Sequence, residues 1–147
     1  MWYDISLTEK IISPSLLFYK DRVESNIDLM IRMAGSAERL IPHVKTHKCS
    51  EIVKIQLSKG ISKFKCATIA EAEMVASTGA KWVLIAYQMV GPNLDRFVAL
   101  KQKFSQTQFS CLVDNIDSAQ MLNQLAEAKH FVAICSLPSF TGRHSCL

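Results

Sequence analysis

Short apolar runs alternate with amphipathic stretches along this chain, and that alternation limits its fold more than any other feature. From Leu40 onward the apolar runs begin about every 20 to 30 residues, the length of a strand plus a returning helix. Residues 15–19, 40–45, 63–67, 82–86, 109–113 and 131–135 read as strands. Between the first two, Val23, Ile27, Met30, Ile31 and Ala34 recur at helical spacing; Asp21 can cap that helix and Gly35 stop it. Ser50 can cap the next, which carries Ile52, Val53, Ile55 and Leu57 and ends at Gly60. Thr68-Ile69-Ala70-Glu71 fits a capping box opening a helix that ends near Gly79. Pro92 suits a first helical position, and a last helix starts near Asp117 and runs through Leu122, Leu125 and Ala126. Strands and helices in strict alternation imply a parallel sheet, either doubly wound or closed as a barrel. With no Gly-x-Gly-x-x-Gly or Walker-type loop present, a nucleotide-binding reading is weakened.

The densest chemistry lies in Arg39-Leu40-Ile41-Pro42-His43-Val44-Lys45-Thr46-His47-Lys48. If this segment is extended, side chains alternate at period two, so His43, Lys45 and His47 share one face. A lysine set among imidazoles at the outlet of a strand is placed to form an imine with a carbonyl cofactor. Partial desolvation and nearby positive charge both favour its neutral, nucleophilic amine. Lys48 is the rival amine, off that face. The spacing of His43 and His47 would suit metal ligation on a helix, but Pro42 and the strand context argue for packing or hydrogen bonding beside a cofactor. Gln88 falls just after a strand, where barrel enzymes place their sites, and can contact cofactor or substrate or serve its own loop. Asp114 and Asn115 occupy the same position after the next strand and read as helix caps; Thr68 and Glu71 read as structural.

Pro-His-Val-Lys-Thr-His-Lys after an apolar run closely resembles the cofactor-lysine motif of the D-threonine aldolase and D-serine dehydratase group. Ser13-Pro14-Ser15-Leu16-Leu17 resembles the first strand of that family, and residues 22–26 its first helix. Lys65-Cys66-Ala67-Thr68-Ile69-Ala70-Glu71-Ala72-Glu73 is similar to its next strand-to-helix turn. Ala86-Tyr87-Gln88-Met89-Val90-Gly91-Pro92 and Cys111-Leu112-Val113-Asp114 follow in the family's order. The resemblance runs from about residue 13 to about residue 129 and decides for the barrel. It implies an alanine-racemase-type (β/α)8 fold dependent on pyridoxal 5′-phosphate (PLP), with Lys45 carrying the cofactor and His43, His47 and Gln88 contacting it. The implied reaction is that of a lyase on a D-β-hydroxy amino acid, either aldol cleavage or dehydration. The family also uses a divalent metal, held by a histidine and a cysteine near its C-terminus that have no counterpart in these residues.

A complete (β/α)8 barrel takes roughly 250 residues, and this chain has 147. The expectation is therefore about the first half of a TIM barrel over residues 1–130, followed by a divergent tail over 131–147. A truncated or frame-shifted reading frame would explain that ending. The alternative function is then a catalytically inactive fragment, completed if at all by a homodimeric partner or by a chain bearing the missing half.

Bulk composition narrows the partners. Apolar residues make up 49% and charged residues 20%, ordinary for a globular protein, and the net charge of +4 is dispersed. Without a basic run interleaved with aromatics, nucleic acid is not an expected partner. The longest apolar stretch, residues 82–87, is far short of a membrane span, and Asp4 and Glu9 read against a secretory leader. Five cysteines without a C-x-x-C pair suit reduced thiols in the cytoplasm, with Cys66 and Cys111 as small buried hydrophobes.

Overall fold

A computed structural model describes residues 4–6, 8–129 and 134–136. Its centre is a parallel sheet of four strands: β1 (Lys63–Cys66), β2 (Trp82–Gln88), β3 (Gln108–Leu112) and β4 (Ile134–Ser136). Five helices return the chain: α1 (Lys20–Ala34), α2 (Ser50–Ser58), α3 (Ile69–Ser77), α4 (Asn93–Lys103) and α5 (Ile116–Ala128). The spatial order is β1-β2-β3-β4, so each strand pairs with its neighbour in sequence. A doubly wound sheet would reverse its order at a switch point. Unbroken order with helical returns is the winding of part of a (β/α) barrel.

Register sorts the sheet into two faces. Phe64 stands opposite Val83 and Val83 opposite Phe109; Cys66 stands opposite Ile85 and Ile85 opposite Cys111. All six are fully buried, and with Val44, Val53, Ala72, Val75, Phe97 and Leu122 they make up the core beneath the helices. The alternate positions Lys65, Leu84 and Ser110 line up on the other face, where the Trp82 Nε1–H donates to Ser110 Oγ at 2.9 Å. Burial pushes the Cys66 thiol up to about 12, as an inert core residue should behave.

Several local expectations hold. Gly35 closes α1 at φ +84, a left-handed conformation that favours glycine, and its N–H donates to the Arg32 carbonyl. Thr68 caps α3 by accepting from the Glu71 N–H at 3.1 Å. Asn115, one of the two capping candidates, caps α5 through the Ser118 N–H at 2.8 Å. Asp21 instead lies in the first turn of α1, behind the cap position Tyr19, and Ser50 is the first residue of α2, behind Cys49.

The first two expected strands do not form. Residues 15–19 pair with no strand, and Leu16, Leu17 and Phe18 stay 73%, 45% and 40% exposed. An apolar run becomes a strand only where a neighbour accepts its ladder. Residues 40–45 make one parallel bridge, His43 to Lys65, with the Lys65 N–H donating to the Pro42 carbonyl at 2.9 Å. Val44 then turns into a 3-10 helix, Val44–Thr46, which drives its own side chain fully into the core. Pro42 has no N–H to extend a ladder, so the pairing stops after one bond. The expected strand 131–135 overlaps β4, which continues past the boundary set at residue 130; residues 130–133 and 137–147, most of the expected tail, lie outside the described residues.

Candidate functional site

The parallel bridge at Lys65 fixes where the lysine-histidine segment goes. Lys65 is the next-to-last residue of β1, so the residues after His43 continue beyond the C-terminal end of the sheet. Barrel chemistry sits at that end. Lys45 is exposed there, while His43 and His47 are half-buried on either side of it in sequence. The alternation expected for an extended segment is replaced by the 3-10 turn. In it each histidine accepts a backbone bond: Lys45 N–H to His43 Nδ1 at 3.3 Å, and Cys49 N–H to His47 Nδ1 at 3.1 Å. Both neutral rings therefore carry their proton on Nε2.

Electrostatics keeps those rings neutral. Burial lowers the pKa of His43 below its ordinary 6.5, and the positive charges of Lys45 and Lys65 lower it further against the opposing carboxylate of Glu71. Burial also lowers the pKa of His47, again opposed by Glu71. A neutral imidazole beside an exposed amine leaves a carbonyl electrophile free to reach that amine. His47 Nε2 is buried without a hydrogen-bond partner among the described residues, so the turn still holds an unused donor.

Two residues join this cluster that sequence reasoning had assigned elsewhere. Glu71, only 5% exposed, uses Oε2 to accept the Ala67 N–H at 2.8 Å and points Oε1 at Lys48 Nζ, 3.5 Å away. Lys48 itself has φ +46, costing about 1–2 kcal/mol for a residue with a Cβ. Its backbone N–H donates to the Val44 carbonyl at 2.8 Å and closes the turn. Lys65 was not among the candidates, though its alternation with the apolar Phe64 and Cys66 on β1 is a signal that could have found it. The link from Glu71 to Lys48 was not legible, since it spans two βα units.

Gln88 ends β2 at the same rim but is turned toward the neighbouring strand. Its Nε2–H donates to Asp114 Oδ2, and Asp114 Oδ1 also accepts from Asn115 Nδ2 at 2.8 Å. The structure thus brings His43, Lys45, His47, Lys48, Lys65 and Glu71 into one electrostatic group and ties Gln88 to a separate pair. A cleft of about 270 Å³ opens between the starts of α3 and α4, lined by Thr68, Tyr87, Met89 and Arg96 among others, and includes none of Lys45, His43, His47 or Gln88. Among the described residues no group of three or more His, Cys, Asp and Glu could hold a metal ion. No helix there is long and apolar enough to cross a membrane.

Comparison with known proteins agrees with this architecture. Residues 19–142 match the family described as alanine racemase, N-terminal domain. A D-threonine aldolase from Arthrobacter sp. is 31% identical over 120 residues, which cover 81% of this chain and 30% of that protein. The crystal structure of D-threonine aldolase from Filomicrobium marinum superposes with a TM-score of 0.78 at 28% identity, covering 90% of this chain and 36% of that one. A variant of D-threo-3-hydroxyaspartate dehydratase gives a TM-score of 0.76 at 25% identity, over 87% and 33% of the two chains. The chain spans about a third of the length of these relatives. It belongs to the alanine racemase N-terminal domain family.

Proposed function

We propose that this member of the alanine racemase N-terminal domain family is the cofactor-lysine portion of a PLP-dependent lyase acting on D-configured β-hydroxy amino acids. The observation that carries the reading is the placement of Lys45. It is an exposed amine on a tight turn at the C-terminal end of a parallel barrel sheet, flanked by two imidazoles of lowered pKa. Relatives named D-threonine aldolase and D-threo-3-hydroxyaspartate dehydratase support the substrate class.

The donor set fits the aldehyde end of PLP. Lys45 Nζ would hold the cofactor covalently, and the unused His47 Nε2–H is a donor for a polar group beside it. When bound, PLP withdraws electron density from Cα of an attached amino acid, so cleavage of the Cα–Cβ bond or loss of a β-hydroxyl becomes accessible. The remaining work belongs to this chain's side chains. Lys45, once released by an incoming amino group, is an amine able to take or return a proton at Cα. Neutral His43 donates from Nε2 without adding a second cation beside Lys45. Gln88, braced by Asp114 at the end of β2, would offer a polar group at the same rim. Residues to hold the cofactor phosphate, and the divalent metal of the wider family, would come from outside the described residues, from a longer chain or from a partner. The unpatterned cysteines support a cytoplasmic location for such an enzyme.

A second reading, an inactive fragment retaining the lysine, is favoured by the four strands described against the eight of a closed barrel. One experiment separates the two. The purified chain is incubated with PLP, reduced with borohydride and mapped by peptide mass spectrometry. An adduct concentrated on Lys45, lost in Lys45→Met while stability stays within about 0.5 kcal/mol, supports the lyase reading. Assays for release of acetaldehyde from D-threonine and of pyruvate from D-serine then choose the reaction. Label scattered over many lysines supports the fragment.

A further inference from the structure

Two amines compete in the lysine turn, and the structure treats them differently. Lys45 and Lys48 are three residues apart on the same rim, and both side chains reach solvent. Among the described residues, only Lys48 of the two faces a carboxylate. Glu71 is buried, its Oε2 fixed by the Ala67 N–H and its backbone N–H fixed by Thr68 Oγ1, so Oε1 is presented at a set point 3.5 Å from Lys48 Nζ. A carboxylate held this way needs no reorganisation to receive an ammonium, and its burial would be costly if it were left unpaired.

The pairing also explains the backbone. Lys48 is the only described residue other than glycine with positive φ, and the left-handed step turns the chain out of the 3-10 helix just before α2. With the Lys48 N–H on Val44 and its Nζ toward Glu71, the turn is held from both ends of one residue. Glu71 also opposes the lowering of both histidine pKa values, so its charge reaches the two imidazoles that flank Lys45.

We propose that Glu71 is the positioning and selectivity residue of the turn: it occupies the Lys48 amine and leaves Lys45 as the one that reacts with electrophiles. The inference rests on the reading of Lys45 as the attachment lysine, but its test does not need the cofactor. An ammonium must give up its proton to solvent, and with it the carboxylate contact, before its amine can attack, so Lys48 is slowed by its pairing with Glu71 and Lys45 is not. Because the Lys48 end of the pair is 64% exposed, the effect is modest, on the order of a two- to fivefold change in relative reactivity.

The first measurement is trace acetylation of the cofactor-free chain with acetic anhydride, read as the Lys48 to Lys45 ratio by mass spectrometry. Glu71→Gln keeps an acceptor for the Ala67 N–H and removes the charge; the ratio should rise about two- to fivefold. Glu73→Gln, which removes another α3 carboxylate that is paired with Lys103 and not with Lys48, should leave the ratio unchanged. Should Glu71→Gln fail to fold, the unaltered chain in about 1 M salt, where the Debye length is about 3 Å, should show the same rise. A ratio unmoved by both the substitution and salt overturns the proposal. PLP labelling gives the second measurement: Lys48→Arg should retain the adduct on Lys45, and Glu71→Gln should spread it to Lys48. No PLP adduct on either lysine, with the acetylation ratio moving as stated, would overturn the proposed function and leave the role of Glu71 standing.

Discussion

Two connections leave the same end of the sheet and reach a helix by opposite means. After β1 the chain passes through Ala67 and Thr68 into α3, closed by bonds within five residues: Glu71 N–H to Thr68 Oγ1 and Ala67 N–H to Glu71 Oε2. After the bridge at His43 the chain needs six residues to reach α2, and Cys49 at its start makes no side-chain cap bond. In place of a cap it uses a 3-10 turn, two histidine acceptors, a left-handed lysine and an ion pair from the other connection. The first is stable by itself and chemically quiet. The second is held by its neighbours and keeps an amine and a histidine donor in reserve, which is where a site would be expected.

The comparison can be broken most severely at Phe64. This fully buried residue lies on β1, from which both connections hang. Phe64→Ala should cost about 3–5 kcal/mol in urea denaturation. A much smaller loss would show that the connections are held without the strand between them. Thr68→Ala tests the locally closed connection alone and should cost about 1 kcal/mol, with the PLP adduct on Lys45 unchanged. A shift of that adduct would mean the cap also sets the lysine turn.

Acid should act on the other connection. The folded pKa values of His43 and His47 are lowered below the ordinary 6.5, so below that value the unfolded chain binds more protons than the folded one. Stability from these groups is present above pH 6.5 and declines as pH falls through it toward the lower folded values. Urea midpoints measured from pH 7.5 down to 5 should fall, and His47→Gln should flatten part of that fall. A slope untouched by the variant would place the acid sensitivity elsewhere. The smallest effect is expected at Ser50→Ala. Ser50 is inside α2 and does not cap it, so the change should stay within about 0.5 kcal/mol. A loss near that of Thr68→Ala would restore Ser50 as the cap.

The same contrast explains which parts were legible beforehand. The Thr68 half of the capping box, the Gly35 stop and β1 to β3 follow from bonds within one turn or from period-two burial, and both leave marks in neighbouring residues. Residues 15–19 and 40–45 carry equally apolar runs, yet whether such a run becomes a strand depends on a partner far along the chain. The position of Lys45 at the C-terminal end of the sheet was readable from the order of motifs. The identity of what restrains Lys48 was not, because Glu71 already had a complete local explanation in its capping box. The box assigned that carboxylate to the Thr68 N–H; the structure puts one oxygen a residue earlier, on the Ala67 N–H, and the other toward Lys48.

Taken alone, the sequence determined the alternation of strand and helix, the amphipathic faces that bury Phe64, Val83, Ile85, Phe109 and Cys111, and the cluster of lysines and histidines at one outlet. These depend on side-chain periodicity and local capping, which act over a few residues. The alternation left barrel and doubly wound order open until the motif resemblance favoured the barrel, and the strand order agrees with it; only the tertiary structure turned residues 44–46 into a 3-10 helix in place of a strand and set Glu71 against Lys48. The physical reason is range. Strand order, ladder partners and a carboxylate meeting an amine 23 positions earlier are fixed by which surfaces meet when the chain collapses, and no window of neighbouring residues contains them.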